Sequence, residues 1–140
     1  MRVLKNGARL GLAVAAILAG SLTMAAPANA ASSPAAACGG GSYHVIDSHN
    51  LDGYATVYLL YNGRTNCVVT WKKLDIGKKT WTSAEVGLWN TNPQVDYGQF
   101  AYYAGPVKVD AAGKCIRWGG SAQHNGRTSA WSPNGPTHCG

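Results

Sequence analysis

Acidic side chains and phenylalanine are scarce in this 140-residue chain, which holds six Asp and Glu together and a single Phe. So few carboxylates restrict the chemistry available. Acid/base hydrolysis of a glycan needs two carboxyl groups about 5 to 10 Å apart, and only Glu85 and five aspartates can supply them. No spacing among them demands such a pair, so a small glycan-acting hydrolase, with Glu85 or Asp96 in its site, ranks low. A serine nucleophile would be announced by a G-x-S-x-G elbow, and the chain has none. Structural zinc is equally unsupported, because no C-x₂-C or C-x₄-C pair occurs. From Cys38 onward there is also no capped segment of helical period. Nor does any later apolar run resemble a stop-transfer segment.

The most informative feature present is at the start. Arg2, Lys5 and Arg9 precede the apolar stretch Leu10 to Leu22, and Ala28-Asn29-Ala30 closes it as an A-x-A cleavage site. This is the pattern of a secretory signal peptide over residues 1–30, too short in its apolar part for a membrane span of about 20 residues. The product is expected to be secreted, extracellular, and without a membrane anchor after cleavage. Cleavage leaves about 110 residues, the size of one domain. Three of the twelve basic residues lie in the leader, so the remainder sets nine basic residues against six acidic ones, a net +3. That mild excess does not describe a nucleic-acid-binding surface.

Cys38, Cys67, Cys115 and Cys139 all follow the leader, and an even count in a small exported chain reads as a disulfide framework. Three pairings exist on paper. Cys38 with Cys67 and Cys115 with Cys139 is favoured, since each pair brackets a short block of strands without crossing the chain. Loops of roughly 30 and 25 residues would each restrict the unfolded state by about 3.5 kcal/mol in the chain-entropy model.

The fold class is all-β. Residues 31–37 form an Ala/Ser/Pro stretch read as a flexible N-terminus, and residues 38–140 as one disulfide-bonded β-domain. Short runs rich in Tyr, Val, Ile, Thr and Trp, separated by Gly, Asn, Asp and Pro, predict strands over 43–47, 54–61, 66–73, 81–89, 100–103, 107–109, 115–118 and 128–131. Their number and brevity suggest a small antiparallel sandwich or barrel. Asn62-Gly63 predicts a type I′ hairpin, and Ala111-Ala112-Gly113 a second tight hairpin. Asn62-Gly63-Arg64-Thr65 returns as Asn125-Gly126-Arg127-Thr128, best read as two independent turns choosing one dipeptide.

Binding candidates come from aromatics and lysines. Five Trp and seven Tyr are many for one small domain, and most are expected to fill a core deprived of Phe. Tyr102, Tyr103 and Trp89, beside the Asn90 to Pro93 loop, are the best candidates for an exposed platform that meets sugar rings or a protein. Lys72, Lys73, Lys78 and Lys79 flank a loop, either as solubilising charges or as a contact for anionic envelope polymers. His44, Asp47 and His49 have the atom types of a metal site, yet sit where solvated side chains are the default, and no metal or cofactor is expected.

Four segments resemble the spore-associated protein A family of filamentous actinobacteria: Asn66-Cys67-Val68-Val69-Thr70, Tyr103-Ala104-Gly105-Pro106-Val107, Gly113-Lys114-Cys115-Ile116-Arg117-Trp118-Gly119-Gly120, and His138-Cys139-Gly140. The resemblance covers most of the chain after Cys38, and implies a small exported protein found with the spore surface. It carries over no catalytic residue and no cofactor. The leading expectation is therefore a noncatalytic protein of the spore or cell envelope, binding a wall glycan, a surface polymer or a protein partner. A secreted protease inhibitor is the alternative, with Trp131 to His138 as its conceivable rigid loop.

Overall fold

The computed structural model describes residues 31–140; the leader lies outside the described residues. A single helical turn, α1 (Pro34–Ala37), leads into eight strands: β1 (His44–Leu51), β2 (Ala55–Tyr61), β3 (Thr65–Lys72), β4 (Thr80–Leu88), β5 (Gln94–Phe100), β6 (Tyr103–Asp110), β7 (Ile116–His124) and β8 (Arg127–Trp131). Two four-stranded antiparallel sheets result, ordered β1-β2-β3-β6 and β5-β4-β7-β8. The all-β sandwich expected from the short Val/Thr/Tyr-rich runs is the observed architecture.

Inward positions alternate along the central strands as the pleat requires. Ala55, Val57 and Leu59 of β2 and Val68 of β3 meet Ala84 and Val86 of β4 and Ile116, Trp118 and Ala122 of β7 in the main core. The first sheet also has a second apolar cluster on its outer face, where Cys38, Leu60, Cys67 and Val69 are buried beneath Ala35, Ala37, Tyr43, Tyr58, Trp71 and Tyr103. Helix α1 forms that cover. Ser33 caps it by accepting from the Ala36 N–H, and Pro34 starts it with its φ already helical. Part of the stretch read as an irregular N-terminus is thus one capped turn.

Cys38–Cys67 and Cys115–Cys139 are the two disulfides. The first pins the end of α1 to β3, and the second ties the chain terminus to the start of β7.

Several local readings need correction. The segment 100–103 is not a strand: Phe100 ends β5, Tyr103 begins β6, and Ala101-Tyr102 turn between the two sheets. Gly113 does take a left-handed φ of 69°. Its segment nevertheless carries the chain from β6 in the first sheet to β7 in the second, so no hairpin forms there. At Asn62-Gly63 the β2–β3 hairpin is present, but only Gly63 has positive φ. Asn62 closes this turn with its side chain, accepting from the N–H groups of Arg64 at 3.0 Å and Thr65 at 2.7 Å. The type I′ geometry belongs to the second copy, where Asn125 and Gly126 have φ of 49° and 73° between β7 and β8. One tetrapeptide therefore makes two different turns.

A buried hydroxyl links the sheets: Thr70 of β3 donates to the Ser83 carbonyl of β4 at 2.6 Å. Gly120 of β7 leaves room for it, since a Cβ there would collide with the Thr70 hydroxyl and lie 2.6 Å from the Ser83 carbonyl oxygen. Gly120→Ala is expected to destabilise the protein by about 1 to 3 kcal/mol through overpacking. Urea unfolding of the two proteins measures this, and an unchanged midpoint would mean that the sheets separate freely at this point.

Candidate functional site

Lys72 ends β3 on an inward register position, two residues beyond Thr70, and is 3% exposed. A buried ammonium needs partners for all of its N–H groups. It donates to the carbonyls of Asp75 at 3.0 Å, Lys78 at 2.6 Å and Phe100 at 3.0 Å. Burial depresses its pKa; the nearby Asp75 carboxylate opposes this and Lys78 adds to it. Lys72 is thus withdrawn from the surface at which the sequence reading placed it, and it gathers the β3–β4 loop and the end of β5 around one charge. Lys73, Lys78 and Lys79 remain exposed on that loop.

The loop is held from a second side by His124. Its Nδ1–H donates to Asp75 Oδ2 at 2.8 Å, and Nε2 lies 3.0 Å from the Asn125 amide nitrogen. Asp75 is held below the ordinary carboxylate pKa, chiefly by the His124 hydrogen bond. Its partial burial acts against this, and the charges of His124, Lys78 and Lys72 assist it.

These clamps place the loop beside the outer face of the second sheet. Register defines that face: Trp81, Ser83 and Glu85 of β4 lie opposite Gln99, Tyr97 and Val95 of β5, and Ser83 and Glu85 lie opposite Ser121 and Gly119 of β7. Trp81 and Tyr97 stack with centroids 4.9 Å apart and an interplanar angle of 17°. Both stay in water, at 40% and 63% exposure, with Val95 next to Tyr97 at 53%. Along the same face Ser83 and Ser121 share a 2.6 Å hydrogen bond, and Arg117 lies 3.8 Å from Glu85.

Two depressions open on this face. One, of about 260 Å³, lies between the lysine loop and the sheet and is lined by Asp75, Lys78, Lys79, Trp81, Gln99, Gln123 and Asn125, among others. The other, of about 330 Å³, runs over Ser83, Glu85, Ser121 and Ala130 to Ser132. Together they present aromatic rings, amides, hydroxyls and two lysines on a rigid sheet, an arrangement suited to holding a ligand.

The candidates read from sequence are dispersed. Tyr102 is exposed at the β5–β6 turn, near the lysine loop at Gly77. Tyr103 belongs to the outer face of the other sheet, stacked on Trp71 at 5.1 Å. Trp89 is half-buried after the far end of β4, its N–H donating to the Cys115 carbonyl. Glu85 and Asp96 point to opposite faces, because Glu85 opposes Val95 while Asp96 opposes Ala84. Asp96 instead accepts from the Gly105 N–H at 2.7 Å. His44, Asp47 and His49 have separate surroundings: Asp47 meets His138 at 3.0 Å and His49 stacks on Trp131 at 4.0 Å. Trp81 and Tyr97 were missed, although the alternation of Val95, Tyr97 and Gln99 against Asp96, Gly98 and Phe100 is visible in the sequence.

Compared with known proteins, the chain is 40% identical to Spore-associated protein A of Streptomyces coelicolor over 136 aligned residues, spanning 91% of this chain and 84% of that protein. No family model matches the chain. No solved structure matches it.

Lys72→Met is expected to cost about 3 kcal/mol, because three partly buried carbonyls lose a charged donor. Chemical denaturation measures this, and a loss below about 0.5 kcal/mol, the range of ordinary surface changes, would make the clamp unimportant. For Asp75 the sign follows from its lowered pKa: the folded state holds the carboxylate deprotonated, so its contribution is complete above the ordinary value of 3.8 and is lost as pH falls through the lower folded value. Melting temperature against pH should therefore drop less steeply in acid for Asp75→Asn than for the unaltered protein, and parallel curves would refute the coupling.

Proposed function

Because the chain belongs to the spore-associated protein A family, we propose that it is an exported, noncatalytic protein retained on the spore or cell envelope through the outer face of its second sheet. The stacked, exposed Trp81 and Tyr97 carry this reading. Aromatic rings left in water on a rigid strand bind a partner at little conformational cost. Two disulfides suit an extracellular setting. The lysines add long-range attraction to an anionic surface, which salt screens beyond a Debye length of about 10 Å. The partner is an envelope polymer, and the face supplies contact area without requiring a reactive group.

The test is retention. The protein without its leader is incubated with isolated spore envelopes and peptidoglycan, and the bound fraction is measured at low and high salt. Binding is expected that salt weakens but does not abolish, with Trp81→Ala/Tyr97→Ala reducing it severalfold while the melting temperature stays near its original value. No retention on either material would refute the proposal, and full retention by the double variant would move the contact to another face.

A further inference from the structure

Resting on that envelope reading, we infer that the groove between the lysine loop and the second sheet takes an acidic polysaccharide, with a sugar ring against Trp81 and its negative group at Lys78 and Lys79. Three features of the groove select this chemistry.

Its charge is in positive excess, with Lys78 and Lys79 set against the single carboxylate of Asp75. Lys78 and Lys79 form no salt bridge among the described residues, where Arg64 pairs with Asp110 and Arg117 with Glu85 while His124 and His138 contact Asp75 and Asp47. Asp75 is the one acid lining the groove, and its carboxylate is engaged by His124. An anion arriving there meets two ammonium groups against one carboxylate whose Oδ2 is already taken by His124.

Its other polar groups are amides. Gln99, Gln123 and Asn125 offer both donors and acceptors, which neutral hydroxyls use and a bare polyanion does not need. Sugar hydroxyls, each donor and acceptor at once, match that set. Arginine, the usual choice for bidentate phosphate contacts, is not among the lining residues.

Its apolar wall is an indole. Tyr97 stacks on Trp81, which also lines the groove, so the ring is braced before a ligand arrives. A volume of about 260 Å³ is below the range of roughly 300 to 1,000 Å³ for pockets that enclose a whole small ligand, so the groove suits one unit of a chain that passes across an open surface. The neighbouring depression over Ser83, Ser121 and Glu85 continues along the same face and offers the chain a path.

Binding is measured with polygalacturonate, a uronate polymer, against dextran, which has sugar rings without charge, and polyphosphate, which has charge without rings. Polygalacturonate is expected to bind about tenfold more tightly than either, which corresponds to about 1.4 kcal/mol each for ring contact and for charge. Trp81→Ala and Lys78→Gln/Lys79→Gln, all at exposed positions, should each weaken polygalacturonate about tenfold. High salt should remove the difference between the lysine double variant and the parent. Equal binding of polyphosphate would overturn the inference in favour of a plain cationic patch, and equal binding of dextran would overturn it in favour of a neutral glycan. An unaffected Trp81→Ala would do the same for the ring contact. Should envelopes retain the protein while polygalacturonate fails to bind, the ligand assignment falls and the envelope reading stands. Loss of both would end both.

Discussion

One buried ammonium organises the end of this molecule where the β3–β4 loop meets the second sheet. Lys72 belongs to β3 of the first sheet, yet its three carbonyl partners come from the β3–β4 loop and from Phe100 at the end of β5 in the second sheet. The Phe100 carbonyl lies where β5 stops and those of Asp75 and Lys78 lie in the loop, where no sheet ladder runs and the Asp75 carbonyl also takes the Lys78 N–H at 2.9 Å. A single cation satisfies all three, and no neutral side chain offers three donors from one atom. The loop carrying Lys78 and Lys79 is therefore held by the core, and its exposed charges keep a defined position beside Trp81. Asp75 repeats the logic from the other side: its backbone carbonyl accepts from Lys72 and its carboxylate from His124. One residue thus couples the clamp to the β7–β8 turn.

The two sheets have different outer faces. On the first, α1, the Cys38–Cys67 disulfide and the Trp71–Tyr103 stack close over Leu60 and Val69. Aromatics there complete a small second core. On the second, no element among the described residues crosses Val95, Tyr97 and Trp81, and the centre of the face is built from Ser83, Ser121 and Gly119. Helix α1 accounts for the asymmetry, since the described residues supply one short cover and the disulfide attaches it to β3. The same residue types therefore serve packing on one side and exposure on the other. Composition alone could not separate the two roles.

What could be read beforehand follows from how local each cause is. Strand pattern, hairpin dipeptides and the favoured disulfide pairing depend on short stretches, and the all-β sandwich follows from them. Strand β5 escaped because its polarity is inverted relative to the usual rule: Val95 and Tyr97 face water while Asp96 and Gly98 face inward beside Phe100. A search for strands with an apolar buried face passes over Gln94–Phe100 and settles on the aromatic cluster that follows it, which is a turn. Lys72 escaped for the opposite reason. Continuing the alternation of Asn66, Val68 and Thr70 puts position 72 inward, but lysine is so seldom buried without a compensating set of acceptors that charge outweighs register. Those acceptors are backbone carbonyls brought together only by the fold.

The inverted strand is also the strongest physical argument for a ligand. Leaving an indole, a phenol and a valine half-exposed on one face forgoes about half of the roughly 1.5 to 3 kcal/mol that fully burying each large apolar side chain returns. Exchanging them for threonines would keep the strand propensity of β4 and β5 and remove the liability at two adjacent sheet positions, one of which, β5, is an edge. Scattered exposed apolar residues need no explanation, but these three share one face and lie beside the groove that holds the unpaired lysines. A purely structural coat component would gain nothing from that combination of ring, amide and charge at one place. A module that grips a hydrated, charged chain uses all three.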